Sequence, residues 1–381
     1  MSTLTTRVLA SVTEIAPAEW DQLVCGSPLG TAFHTHGWLR AYETAAPGAC
    51  RPMHIAAFDG RDLVGVCPAF LVSDCPRLHD YQSSLVTRPV RFAGPVVLAH
   101  SLYAFYGGVV VRGADVPVTA GLVDALTHAA RDQRAAVVGF VNVPEEQGTL
   151  LSCLERSGFH RGYISSTNRL AIRWPSYEEY LRQLPTYNRR RNLRRERRRG
   201  ESRGLRFTLG FEGVDWDHVA ELANWPFSRH GTGAVPHFTA RYLEANAPGR
   251  SSCDSDMMVA RDASGRPIGY ALSLRHGGTL FGWVMGLDYD AMSEYNQNHG
   301  YYHQLIEYAI RHGLETIDTG RGAYQFKVRY GFTQHPLQLA MRGLSADVDD
   351  TVRGWVADIA RNAWHRFETK MARAQAGGGR D

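Results

Sequence analysis

Lysine is scarce in this chain of 381 residues: of its forty-two basic side chains, only Lys327 and Lys370 are lysines. A lysine kept against so strong an arginine bias points to its surroundings. Lys327 stands in D-T-G-R-G-A-Y-Q-F-K-V-R-Y-G-F, Asp318 to Phe332. The pattern reads as a strand ending at Asp318, a glycine turn, and a short helix carrying Tyr324 and Lys327 three residues apart on one face. An ammonium beside a carbonyl stabilises the negative oxygen that develops when the carbon is attacked. A phenol one turn away can give a proton to a departing hydroxyl or thiol, and a strand-end carboxylate can take a proton or orient the lysine. The plainer readings are a surface lysine, a packed tyrosine and a carboxylate capping the next helix.

Upstream, the strand T-L-F-G-W-V-M-G-L-D-Y runs into the polar loop N-Q-N-H-G, with a helix expected to open at Gly300. Such a loop-to-helix junction offers free backbone N–H groups to an anion. Gln297, Asn298, Gly300 and Tyr301 are therefore the candidate donor contacts. Trp283, on the strand opposite, is a stacking platform or a core residue. Other signals carry less. G-E-S-R-G (Gly200 to Gly204) has the nucleophile-elbow spacing, but an arginine run precedes it where a hydrophobic strand is required. D-T-G at Asp318 has no second copy to complete an acid dyad. His34 and His36 in F-H-T-H-G-W have no carboxylate or cysteine at ligand spacing, so no metal site is expected. His36 and Trp38 are read as lining a substrate pocket.

Two stretches of the chain read alike. M-H-I-A-A-F-D-G-R-D-L-V-G-V from Met53 and M-M-V-A-R-D-A-S-G-R-P-I-G-Y from Met257 are each an apolar strand, a polar turn and a second strand. Each is followed by a helix of 3.6-residue period, a strand, and a helix closing on Gly-Phe, at Gly158-Phe159 and Gly331-Phe332. The expected fold is α/β with mixed sheets in two copies of one lobe, 1–168 and 169–345, then a C-terminal helix and tail, 346–381. The second lobe would hold the donor site and a basic helix at 186–200.

The Asp318–Phe332 stretch resembles the D-x-G-x-x-x-Y-x-x-K-x-x-x-G-F signature of the Fem-like tandem-GNAT acyltransferases, a group that includes the BioF2-like and FemAB-related proteins. The likeness extends to W-P-S-Y-E-E-Y-L-R-Q-L with its arginine-rich sequel, to F-H-T-H-G-W-L-R-A-Y and to L-H-D-Y-Q-S, covering Trp20 to Arg342. It implies two GNAT-like lobes and amide formation on an amine, with Lys327, Tyr324 and Asp318 catalytic and His36, Trp38, Tyr81 and Arg321 binding substrate. GNAT enzymes hold the donor's pyrophosphate on a [QR]-x-x-G-x-[GA] loop. This chain offers Gln297-x-x-Gly300-x-Tyr302, whose tyrosine replaces the last small residue and would crowd a pyrophosphate.

Charge is concentrated in one block. Pro185 to Arg206 holds ten arginines and two glutamates, net +8 against +4 for the whole chain, so the remainder is mildly acidic. Arginines wrap most of this helix, and an all-polar helix is expected to project from the body. It reads as a solvated helix, an RNA-backbone contact through Arg190, Arg194 and Arg197, or a surface for anionic lipid or substrate. An aminoacyl-tRNA donor is thereby favoured over acyl-CoA, either one a co-substrate and not a tightly bound cofactor. The acceptor is a small-molecule or cell-wall-precursor amine. A glycan- or peptide-binding protein without chemistry is the alternative of another class. Six scattered cysteines, no signal-peptide pattern and no apolar run of membrane length lead to an expected cytoplasmic location.

Overall fold

The structure is a computed structural model and describes residues 4–46, 48–74, 92–113, 115–229, 237–248 and 254–377. The chain divides into two compact units, Met1–Ser166 with His335–Phe367, and Thr167–Gln334 with Glu368–Asp381.

The first unit holds an antiparallel four-stranded sheet ordered β1 (Leu4–Leu9), β3 (His54–Asp59), β4 (Asp62–Cys67), β7 (Val110–Val111). A second set is ordered β2 (Ala49–Pro52), β5 (Phe70–Asp74), β6 (Val96–Leu98), β8 (Val137–Pro144), β15 (Thr333–Gly343). Its helices are α1 (Pro17–Gly26), α2 (His36–Ala45), α3 (Val116–Asp132) and α4 (Gly148–Arg156). The apolar stripe of α3, Val118, Leu122 and Leu126, recurs at helical spacing and closes a core with Ile55, Val138 and Phe140.

β9 (His160–Ala171) leads the chain out of the first unit. The second unit then runs α5 (Tyr177–Gln183), α6 (Tyr187–Ser202), β10 (Arg206–Leu209), α7 (Trp216–Arg229) and α8 (Ala240–Glu244). After these come β11 (Asp254–Arg261), β12 (Pro267–His276), β13 (Thr279–Leu287), α9 (Tyr289–Tyr295), α10 (Gln297–Arg311), β14 (Thr316–Arg321) and α11 (Tyr324–Arg329). Its strands are ordered β10-β11-β12-β13-β14, with the end of β9 antiparallel to β14. A long helix, α12 (Ala346–Gly377), follows β15.

Both units contain the repeated order: β3–β4, α3, β8, α4 in one and β11–β12, α10, β14, α11 in the other. Both Gly-Phe pairs end their helix in the same way. Gly158 and Gly331 adopt φ +76° and +84°, where a Cβ is strained. Phe159 N donates to Leu154 O and Phe332 N to Lys327 O, while each glycine N–H donates to the carbonyl one residue further on, Glu155 O and Val328 O. These are the paired bonds of a Schellman cap.

The C-terminal boundary differs from the expected one. The strand at 335–343 was placed in the second lobe, but β15 pairs antiparallel with β8, from Leu337↔Pro144 to Gly343↔Val137, and so belongs to the first unit. The basic helix differs too. It does not project: Leu193 and Gly200, seven residues apart, are buried, and Leu193 joins the core formed by Tyr180, Tyr302, Ile306 and Tyr330. Among the described residues no helix is long and apolar enough to cross a membrane.

Candidate active site

In each unit the strand after the long helix runs parallel to a neighbour for only three residues. The pairs are Val96↔Val137 to Leu98↔Gly139 in the first unit and Thr279↔Thr316 to Phe281↔Asp318 in the second. Beyond these points the strands diverge. In the first unit the chain itself occupies the gap. A Cβ on Gly107 would lie 2.5 Å from Ala99 O and 2.7 Å from Val141 O, and Gly108 N donates to Ala99 O. In the second unit the gap is open, a cavity of about 410 Å³ walled by Gly282, Trp283, Val284 and Met285 of β13 and by Thr319 and Arg321 of β14. The β12–β13 ladder passes from Leu272↔Val284 to Ser273↔Gly282, so Trp283 is an extra, bulged residue at this wall.

Lys327 enters the cavity wall from α11 and is 4 % exposed. Its Nζ donates to Thr319 O at 2.8 Å, Gly320 O at 3.2 Å and Arg321 O at 3.3 Å. Burial lowers its pKa to about 7, with the Asp318 charge opposing; the three carbonyl acceptors also favour the ammonium. Those carbonyls face inward because the loop is built from left-handed residues, Gly320 (φ +65°), Gly322 (φ +76°) and Ala323 (φ +49°). Asn168 holds the same loop from β9, its Nδ2 donating to Gly320 O and Gly322 O. The position equivalent to Lys327 in the first unit's cap, counted from Phe159, is Leu154. Among the described residues, then, the second lobe is the one that combines an open gap with a cation.

Asp318 is 1 % exposed, and its carboxylate is spent within the wall. Oδ1 accepts from Thr167 Oγ1 at 2.6 Å and Gly320 N at 2.8 Å, and Oδ2 from Arg169 Nε at 3.4 Å. It orients the loop and faces Lys327 electrostatically; it is not aimed at the cavity as a proton acceptor. Tyr324 is buried at the start of α11 and does not line the cavity. Trp283, Tyr301 and Arg321 do line it. Trp283 is held edge-on by Phe238 and Tyr242, so it is wall and core at once.

The expected anion site at Gly300 is closed. α10 begins at Gln297, immediately after Asn296, which ends α9 with φ +56°. Gln297 is fully buried, and Gly300 N donates to Asn296 O. A Cβ on Gly300 would meet Phe207 Cζ at 2.7 Å and Leu205 Cδ2 at 3.0 Å. Asn296 Nδ2 donates to Glu196 O and Oε2 of α6, and a Cβ on Gly200 would come within 2.9 Å of Tyr295 O. Phe207 of β10, Leu205 just before it and Glu196 of α6 thus lie against the helix start, while Gln297 Nε2 donates to Asp288 O and the side-chain oxygens of Gln297 and Asn298 are buried without a hydrogen-bond partner.

The arginines chosen for nucleic acid are also spoken for. Arg190 Nη1 donates to Leu184 O, Arg194 pairs with Glu178 at 2.9 Å, and Arg197 pairs with Glu201 and Glu307 while lying over the Tyr177 ring. They flank Leu193 and Gly200 on the inward face. The outward face carries Tyr187, Arg191, Arg195 and Arg198, all exposed, at i, i+4, i+8 and i+11. His36 and Trp38 are core residues of the first unit, Trp38 donating through Nε1 to Ser101 Oγ. Tyr81 lies outside the described residues. Sequence reasoning passed over Ser273, Thr319, Met258 and Leu305 of the cavity and the Thr167-Asn168-Arg169 clamp. Of these only Thr319, inside the Asp318–Phe332 motif, carried a signal. Among the described residues no group of three or more His, Cys, Asp or Glu could hold a metal.

Residues 187–328 match the acetyltransferase (GNAT) domain family. No curated protein matches the sequence. Solved structures share the fold at low identity. "Crystal structure of FemX" aligns with TM-score 0.59 at 14% identity, over 86% of this chain and 96% of that one. L-PGS from Bacillus licheniformis aligns with TM-score 0.56 at 13%, over 91% and 97%. A tandem GNAT protein from the clavulanic acid biosynthesis pathway aligns with TM-score 0.53 at 12%, over 90% and 99%.

Proposed function

From a fold like that of FemX and of a tandem GNAT protein, and from the match of residues 187–328 to the acetyltransferase (GNAT) domain family, we propose that the chain makes an amide by transferring an acyl group from an aminoacyl-tRNA ester to an amine. One observation carries the choice of donor. The start of α10, where an acyl-CoA pyrophosphate would sit on backbone N–H groups, is covered by Phe207, Leu205 and Glu196. An aminoacyl ester needs no pyrophosphate seat; it needs cations for a polyanionic backbone. The outward stripe Arg191, Arg195 and Arg198 supplies them, Arg195 giving up a surface ion pair with Glu196 at 3.2 Å to do so.

In this reading the neutral acceptor amine attacks the ester carbonyl in the β13–β14 gap. A carbon–nitrogen bond forms, the carbon–oxygen bond to the ribose breaks, and the amine's proton passes to the departing ribose oxygen. The Lys327 ammonium stabilises the transient oxyanion by releasing its longest bond, to Arg321 O. Asp318 and Asn168 position the loop that presents Lys327.

Salt titration of tRNA binding tests the surface. Each phosphate contact contributes about 0.9 to the slope of log K against log salt, so replacing Arg191, Arg195 and Arg198 with glutamine flattens it by about 2 to 3. The inward set Arg190, Arg194 and Arg197 should change stability instead. A triple variant with an unaltered slope removes the tRNA contact from this helix.

A further inference from the structure

We infer that the acyl group's side chain is uncharged and apolar, of branched or aromatic size, an inference that rests on the acyltransferase reading above. The walls that meet it are Met258, Ala271, Trp283, Val284, Tyr302 and Leu305. Among the described residues no aspartate or glutamate lines the cavity, and the two charged residues that do, Lys327 and Arg321, are both cations. A lysyl or arginyl side chain would lose its hydration there against like charge, with no counter-ion. Asp318, the acid nearest in sequence, has its oxygens taken by Thr167, Gly320 and Arg169. A carboxylate side chain fares no better: in a wall that is mostly apolar it would be drawn to Lys327 and occupy the donor that the transient oxyanion needs.

Size is set by Gly282. Its backbone does not require glycine: no left-handed φ occurs there, and an added Cβ would meet Thr319 Cγ2 at 3.5 Å and Leu305 Cδ2 at 3.7 Å, ordinary contacts. The protein's own packing therefore leaves room for a methyl group at 282, and the missing atom is space on the cavity side of β13. A volume of about 410 Å³ lies within the range of small-molecule sites and accommodates a branched or aromatic side chain.

The test is a binding series by calorimetry with non-hydrolysable 3′-aminoacyl-adenosine amides (alanyl, valyl, phenylalanyl, glutamyl, lysyl), followed by transfer from the matching charged tRNAs. Valyl and phenylalanyl amides should bind at least tenfold more tightly than lysyl and glutamyl. Gly282→Ala, checked for an unchanged thermal melt, should weaken phenylalanyl binding about tenfold more than alanyl, the scale of one methyl group in an apolar pocket. Ala271→Val on the neighbouring strand β12 serves as a second narrowing variant and should act in the same direction. Equal or tighter binding of the lysyl or glutamyl amide overturns the inference. So does a narrowing variant that penalises alanyl and phenylalanyl alike. The predicted binding order without transfer from any charged tRNA upholds the cavity's selectivity and rejects the aminoacyl donor.

Discussion

Replacing Lys327 with methionine keeps an unbranched side chain, one heavy atom shorter, and removes its charge. The ammonium is buried against three carbonyls, and burial brings its pKa from 10.5 to about 7. That drop corresponds to about 5 kcal/mol of penalty on the charged form. Because the folded pKa lies below the unfolded one, the unfolded chain holds the extra proton between pH 7 and 10.5, and stability rises with pH through that window. Lys327→Met has no such group, so its stability should lose this rise. At pH 7 the variant sheds the charge-burial penalty but leaves carbonyls of the 319–321 loop dry, at about 1–3 kcal/mol each; the two effects oppose. Turnover is less ambiguous. Loss of one preorganised oxyanion donor costs about 3 kcal/mol, roughly a hundredfold in kcat. With its pKa near 7, the lysine should also give wild-type kcat a falling alkaline limb that the variant lacks. Urea unfolding at pH 7 and 9.5, with kcat measured across the same range at saturating donor, reads both. A folded Lys327→Met protein within about threefold of wild-type kcat refutes the oxyanion role, as does a wild-type profile with no alkaline limb.

The covered helix start predicts that Gly300→Ala destabilises. Its methyl group would press on Phe207 at 2.7 Å, costing about 1–3 kcal/mol and outweighing the up to ~1 kcal/mol that alanine gains in a helix. A raised melting temperature would contradict that packing. Acid should unfold the second unit early. Burial lowers His299 to about 4 and His303 to about 3. The unfolded chain takes up their protons first, so between pH 6.5 and 5 each removes about 2 kcal/mol of stability. His303→Gln should reduce that slope in urea titrations, and an unchanged slope would assign the acid sensitivity elsewhere.

Local signals in the sequence survived translation into structure, and non-local ones did not. Both Gly-Phe pairs marked helix ends because a left-handed cap is a property of one residue's backbone. Lys327 stood out by scarcity, and its position on the short helix just after the end of β14 at Arg321 put it at the loop it holds. The Gly300 site was misread because what covers it, Phe207 and Glu196, arrives from distant segments that carry no motif. The arginine helix was readable in part. Leu193 and Gly200 lie seven residues apart and mark the inward face, so Arg191, Arg195 and Arg198 could have been separated from Arg190 and Arg197 on the helical wheel. The cavity itself comes from the divergence of β13 and β14, which depends on where their pairing stops and leaves no trace in residue type.

The central claim is the donor, and a head-to-head turnover assay tests it most directly. The protein is given a pooled set of charged tRNAs and a matched set of acyl-CoA thioesters, in separate reactions with one amine-rich metabolite extract, and amide formation is followed by mass spectrometry. The account predicts saturable transfer from charged tRNA and no saturable thioester turnover, because the α10 start is filled by the protein's own side chains. Saturable consumption of an acyl-CoA, with charged tRNA left intact at low salt, would contradict it.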